Sequence, residues 1–119
     1  MDKDELGKYG EILATKHLIN KGYEILENNW VYIKLELDII AKYQDKIVIV
    51  EVKTRENNYI GEPWEAVTKA KQKRIIKAAN EYIIEKKLDL EVRFDIVSII
   101  HNQKETIIEH LEDAFYPMM

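Results

Sequence analysis

Apolar residues recur along this chain with two different periods. Over residues 4–21, Leu6, Tyr9, Leu13, His17 and Leu18 fall on one side of a 3.6-residue turn, which predicts an amphipathic helix. Asp4 stands where a capping carboxylate is expected, and Gly22 where a left-handed helix stop is expected. Over residues 23–33 the β-branched and aromatic residues predict an extended strand, interrupted at Asn28-Asn29. Two further strands follow over 35–43 and 46–54, joined at a polar Gln44-Asp45 turn as a hairpin. Residues 55–61 have no period and read as a loop. Pro63 then opens a long predicted helix to residue 87, with Ala66, Val67, Ala70, Ile75, Ala78, Ala79, Tyr82 and Ile83 inward. Strands over 92–100 and 105–111 complete the chain.

The order αβββαββ predicts an α/β fold, a mixed sheet of about five strands flanked by two helices. The long helix between the third and fourth strands leaves room for a crossover that returns the chain parallel to itself. With 119 residues, 46% of them hydrophobic, the chain fits one domain over 1–119 with one core. The formal net charge is -4, which argues against coating nucleic acid or an acidic membrane through bulk charge. There is no cysteine, so disulfides, thiol nucleophiles and Cys-ligated metals are excluded. No stretch is long and apolar enough to span a bilayer, and the acidic start lacks the basic-then-apolar layout of a signal peptide; the expected setting is the cytoplasm.

The hairpin turn sets a register with consequences. An even-numbered loop centred between Gln44 and Asp45 pairs Lys42 with Ile47, Ile40 with Ile49, Asp38 with Glu51 and Glu36 with Lys53. Asp38, Ile40, Ile47, Ile49, Glu51 and Lys53 then share one face. Two carboxylates directly opposed among isoleucines destabilise a sheet unless a positive partner lies between them. Lys53 is one candidate and a divalent cation the other, since hard carboxylate oxygens suit Mg²⁺, which binds through one or two carboxylates, waters and substrate phosphate. Taken alone, Glu51-Val52-Lys53 reads as an ordinary solvated strand face; the opposed Asp38 is what shifts the balance toward catalysis.

An acidic residue on one strand followed by Glu-x-Lys on the next resembles the PD-(D/E)xK signature of restriction-endonuclease-like nucleases. More closely, the chain resembles the YraN-like family of small uncharacterised bacterial proteins with that fold, distantly similar to archaeal Holliday junction resolvases. The matching stretches run nearly end to end: Gly10-Glu11 with Ala14, Gly22-Tyr23, Asn29-Trp30, Glu36 to Ala41, Val50 to Arg55, Gly61 with Pro63 and Glu65-Ala66-Val67, Arg93 to Val97, and Ile108 to Leu111 with Ala114-Phe115. The resemblance implies that Asp38 and Glu51 are metal ligands and Lys53 the catalytic lysine. It also implies that Glu11 reaches the same site as a further acidic ligand or supporting group. The glycine that usually precedes the family's acidic position is Leu35 here, and Val31 and Tyr32 stand where a basic residue often follows Asn-Trp. By its residues alone, Glu11 reads first as an exposed helix glutamate, and His17, His101, His110 and Asp95 as structural or surface groups.

Charge is uneven along the chain. Residues 53–77 carry seven basic and three acidic residues, whereas the remainder carries 11 basic and 19 acidic. Lys69, Lys73 and Lys77 repeat at helical spacing, with Lys71 and Arg74 near them; together with Arg55 and Gln72 they form the expected nucleic-acid contacts. Such a stripe suits phosphate backbone and recognition by shape rather than base readout, although any surface helix can carry lysines.

The reading that follows is an endonuclease dependent on Mg²⁺ or Mn²⁺ that hydrolyses phosphodiester bonds in DNA, with branched DNA among its expected substrates. The alternative is a non-catalytic module on the same fold that binds nucleic acid or protein. A phosphoesterase acting on small molecules would fit the carboxylates but leaves the lysine stripe unexplained. Related resolvases cut two strands symmetrically as dimers, so a homodimer is compatible with the resemblance, and no membrane partner is expected.

Overall fold

The computed structural model describes residues 1–117. The elements run α1 (Lys3–Asn20), β1 (Glu24–Tyr32), β2 (Leu35–Tyr43), β3 (Lys46–Arg55), a 3-10 turn (Pro63–Ala66), α2 (Lys69–Lys86), β4 (Glu91–His101) and β5 (Thr106–Phe115). One five-stranded sheet holds the strands in chain order, β1-β2-β3-β4-β5. All neighbours are antiparallel except β3 and β4, which the α2 crossover makes parallel. The mixed α/β architecture and element order are those expected. Among the described residues, no helix is long and apolar enough to cross a membrane.

Each face of the sheet has its own apolar layer. On one, Ala14 and Leu18 of α1 pack with Tyr23, Ile39, Ala41, Val48, Val50, Val97 and Ile99. On the other, Ile75, Ala78, Ala79 and Tyr82 of α2 pack with Leu37, Ile40, Ile47, Ile49, Phe94 and Ile96. The central strand β3 is covered on both sides and reads as a nearly continuous buried run, as expected of a strand with a parallel neighbour.

Local chemistry departs from the expected boundaries in three places. The cap of α1 is Asp2, not Asp4: its carboxylate accepts from the Glu5 N–H at 2.9 Å while the Glu5 carboxylate accepts from the Asp2 N–H at 3.4 Å. This reciprocal pair needs Glu at the third helical position, which only Asp2 has. The buried face of α1 is Leu6, Gly10, Ala14 and Leu18, spaced by four, with Tyr9, Leu13 and His17 at its margins. Small residues in the middle let the helix lie close on β3.

The long helix expected from Pro63 is divided. Pro63 starts a single 3-10 turn, the backbone breaks at Val67, and Thr68 caps α2 by accepting the Lys71 N–H at 3.3 Å. The apolar pattern continued through Ala66-Val67, but the buried Val67 belongs to the core beneath the break rather than to the helix stripe. The break places the first turn of α2 over β2 and β3.

The third departure is in β5, which extends to Phe115 because three residues bulge opposite one. Phe94 pairs with Phe115 and Ile96 with Leu111, so Glu112, Asp113 and Ala114 face only Asp95. Asp95 is 0% exposed and accepts four hydrogen bonds: two from Arg93 at 2.9 and 2.8 Å, one from His110 at 2.6 Å and one from the Asp113 N–H at 2.9 Å. Burial alone would raise its carboxyl, but these hydrogen bonds outweigh burial and hold it below the usual carboxylate range. Asp95 therefore pins the bulge.

The glycines of α1 make the close approach testable. A Cβ on Gly10 would collide with Thr54 Oγ1 and lie 2.8 Å from Thr54 Cβ, whereas one on Gly7 would meet nothing within 4 Å. Gly10→Ala is expected to destabilise the protein by about 2 kcal/mol in urea unfolding, despite its better helix propensity. Gly7→Ala is expected to stabilise it by about 0.5 to 1 kcal/mol.

Candidate active site

The β2–β3 ladder pairs Tyr43 with Lys46, Lys42 with Ile47, Ala41 with Val48, Ile40 with Ile49 and Ile39 with Val50. The even turn expected between Gln44 and Asp45 is thus realised. The pairing stops there, and the next backbone donor on β3 finds a side chain instead: the Val52 N–H donates to Asp38 Oδ2 at 2.8 Å. Glu36, placed opposite Lys53 by extending the register, pairs with Val31 of β1 instead. The two strands part at Asp38, so the residues beyond it are free to line a cleft.

Asp38 and Glu51 meet at this parting, close enough that each changes the other's hold on a proton. Burial, followed by the charge of Asp38, pushes Glu51 up to about 8. Burial raises Asp38 as well, although the Val52 N–H and the Glu51 carboxyl favour its charged form. The two carboxyls together therefore hold a proton more tightly than separate surface acids would. The compensating cation comes from α2: Lys71 Nζ lies 3.2 Å from Glu51 Oε1. A cleft of about 250 Å³ opens over the pair, lined by Lys34, Leu35, Glu36, Asp38, Glu51, Lys71, Arg74 and Ile75.

Lys53 lies two residues beyond Glu51 on β3 and is half-buried. Burial, then the charges of Lys71, Arg55 and Lys3, push its ammonium down, so it yields a proton more readily than a surface lysine. Glu11 of α1 reaches the same region from the opposite face. It lines a separate trough of about 840 Å³ with Lys3, Lys8, Asn28, Asn29 and Glu36. Burial, and next the charge of Asp38, raise the Glu11 carboxyl. With its amide assigned so that the nitrogen faces the two acceptors, Asn29 donates to Glu36 Oε1 at 3.0 Å and to Glu11 Oε1 at 3.2 Å. Asn29 is a member of this constellation that its sequence context obscured. Its clue is an Asn-Asn pair inside a strand, where Asn29 adopts φ 55, a conformation Asn tolerates.

The remaining expected contacts divide by what they touch. Lys69, Lys73 and Lys77 are exposed, and Arg74 stands on the cleft wall. Lys71 faces Glu51, Gln72 donates its amide to the Val67 carbonyl at 3.1 Å, and Arg55 donates to the Gly61 carbonyl at 3.2 Å. Among the described residues, no group of three or more His, Cys, Asp or Glu stands ready to hold a metal. Of the three carboxylates that line the cleft, Asp38 and Glu51 stand together, and such a pair suits a hard cation that keeps several waters and completes its shell with substrate oxygens.

The profile described as the uncharacterised protein family UPF0102 matches residues 10–99. That span includes Glu11, Asn29, Asp38, Glu51, Lys53 and Lys71. The chain is 50% identical over 115 residues to a UPF0102 protein of Flavobacterium psychrophilum, covering 97% of each chain. It is 45% identical over 116 residues to one of Phocaeicola vulgatus, covering 98% of this chain and 96% of that one. It is 42% identical over 118 residues to one of Chlorobium chlorochromatii, covering 94% and 92%.

The raised Glu51 carboxyl has a signed consequence for stability. Its folded value, about 8, lies above the ordinary 4.5, so its contribution is fully present below 4.5 and is lost as pH rises through 8. Metal-free protein is expected to lose stability over this window, and Glu51→Gln to flatten the profile, gaining on the order of 2 kcal/mol over wild type at its alkaline end. Denaturant titrations across pH measure both.

Proposed function

The chain belongs to the uncharacterised protein family UPF0102, and from that premise we propose that it is a divalent-cation-dependent endonuclease hydrolysing phosphodiester bonds in DNA. The observation that carries the proposal is the buried Glu51 beside the part-buried Asp38 at the parting of β2 and β3, where Asp38 takes the Val52 N–H. A sheet has no structural use for two like acids in an apolar setting when one would cap Val52. The resemblance to restriction-endonuclease-like nucleases gives the pair a role.

Asp38 and Glu51 would hold Mg²⁺ or Mn²⁺, with Glu11 and Asn29 supporting from the α1 side. A divalent ion bound there neutralises charge on phosphoryl oxygens and lowers the pKa of water. Lys53, two residues beyond Glu51 on β3 and with its ammonium already pushed down, would orient the attacking water and move its proton. Lys34 and Arg74 on the cleft walls would grip the phosphates flanking the scissile one. The exposed Lys69, Lys73 and Lys77 would hold backbone further along, independent of sequence. Cutting both strands of a branched substrate would require two copies of the site, and hence a homodimer.

One observation favours a second reading, binding without turnover: Lys71 already neutralises the carboxylate pair. Incubation with labelled duplex, single-stranded, flap and four-way DNA, with Mg²⁺ or Mn²⁺, separates the two. The nuclease reading expects cleavage of at least one substrate, reduced roughly 100-fold or more by Asp38→Ala and by Lys53→Ala. Salt-sensitive binding without product, or cleavage indifferent to both substitutions, would sink it.

A further inference from the structure

Lys71 stands apart from the other basic residues of α2. Lys69, Lys73 and Lys77 are exposed, whereas the Lys71 ammonium lies 3.2 Å from Glu51 Oε1, a carboxylate oxygen that a divalent cation would need. The carboxylate side chain is 7% exposed and the lysine side chain 34% exposed, so the lysine covers the acid from the solvent side. The backbone of Lys71 is fixed, because Thr68 Oγ1 accepts its N–H at 3.3 Å in the cap of α2. Its four-carbon stem is not fixed by that bond. The ammonium can leave Glu51 without the helix moving.

We propose that Lys71 is a resident counter-ion that occupies the cation's place at Glu51, and that a nucleic-acid phosphate draws it off so that the divalent cation can load. The inference rests on the nuclease reading above and deepens it, making cation binding conditional on substrate. Two positive charges against one carboxylate oxygen repel each other, so cation and ammonium compete for Glu51. An incoming phosphate meets Lys34 and Arg74 on the same cleft walls and offers Lys71 an alternative anion. By linkage, whatever raises cation affinity through substrate raises substrate affinity through the cation by the same factor. An unoccupied protein then carries neither a bare buried acid pair nor a loaded metal centre.

The test is Mg²⁺ titration by calorimetry, with and without a non-cleavable phosphorothioate duplex whose own Mg²⁺ uptake is subtracted. Wild type is expected to bind Mg²⁺ weakly alone and roughly fivefold or more tightly with the duplex. Lys71→Gln is expected to bind Mg²⁺ alone roughly fivefold or more tightly than wild type and to lose most of the duplex dependence. Lys71→Arg, which keeps a cation on Glu51, is expected to retain the wild-type pattern. If wild type binds Mg²⁺ and Lys71→Gln binds it no more tightly, the counter-ion role is overturned and the metal reading stands. If neither binds Mg²⁺ under any condition, both fall. Should Lys71→Gln fail to fold, wild-type Mg²⁺ affinity indifferent to the duplex overturns the inference by itself.

Discussion

Two carboxyl groups held side by side away from water cannot both be charged without a positive partner, and the Asp38–Glu51 pair imposes that condition on the elements around it. The raised proton affinity of the pair eases part of the problem. The rest is met from three directions. The Val52 N–H, freed where β2 and β3 part, turns to Asp38. The break in the crossover at Val67 and the cap at Thr68 set the first turn of α2 so that Lys71 reaches Glu51. Lys53 adds positive potential from β3, while its burial and then the charges of Lys71, Arg55 and Lys3 loosen its hold on its own proton. An element that looks like a boundary detail, a 3-10 turn followed by a capped helix, is thus what delivers the compensating charge.

The opposite face reaches the same place by close packing. Gly10 and Ala14 let α1 settle against β3, tightly enough that Thr54 Oγ1 is buried without a hydrogen-bond partner. An unpartnered hydroxyl is a cost, and it is tolerated where the helix must come close. Glu11 follows Gly10 directly in the chain, so the depth at which Gly10 sits also sets how near Glu11 comes to Asn29 and Glu36. The carboxylates of the region form two adjoining groups, Asp38 with Glu51 and Glu11 with Glu36 across the Asn29 amide, linked by the field of Asp38.

The fold was legible where period and turn length speak directly. Alternation in residues 35–54 and a two-residue turn determine the register, and the register alone brings Asp38 to Glu51. The long segment between β3 and β4 is enough to foresee their parallel pairing. What escaped depends on contacts between distant residues. Extending the register to Glu36 and Lys53 assumed that the strands stay together, but Asp38 takes the backbone donor and they part. Lys71 could not be told from its neighbouring lysines, because spacing along a helix does not reveal which lysine has a buried acid beneath it. Glu112-Asp113 read as the end of a strand because the carboxylate that accommodates them, Asp95, lies 18 residues away.

The sheet begins at β1 and ends at β5, and both outer strands present unpaired backbone along one side. Such edges invite pairing between copies. Here they are lined with acid: Glu24 and Glu27 on β1, Glu109, Glu112 and Asp113 on β5. The negative surplus outside the crossover segment thus falls in part on the two borders where strands of one molecule could zip onto another. Like charge along both borders makes edge-to-edge stacking self-limiting, and it does so without adding acid to the lysine-rich crossover that borders the cleft. The net charge that first seemed to weigh against a nucleic-acid enzyme is, on these strands, a guard against aggregation.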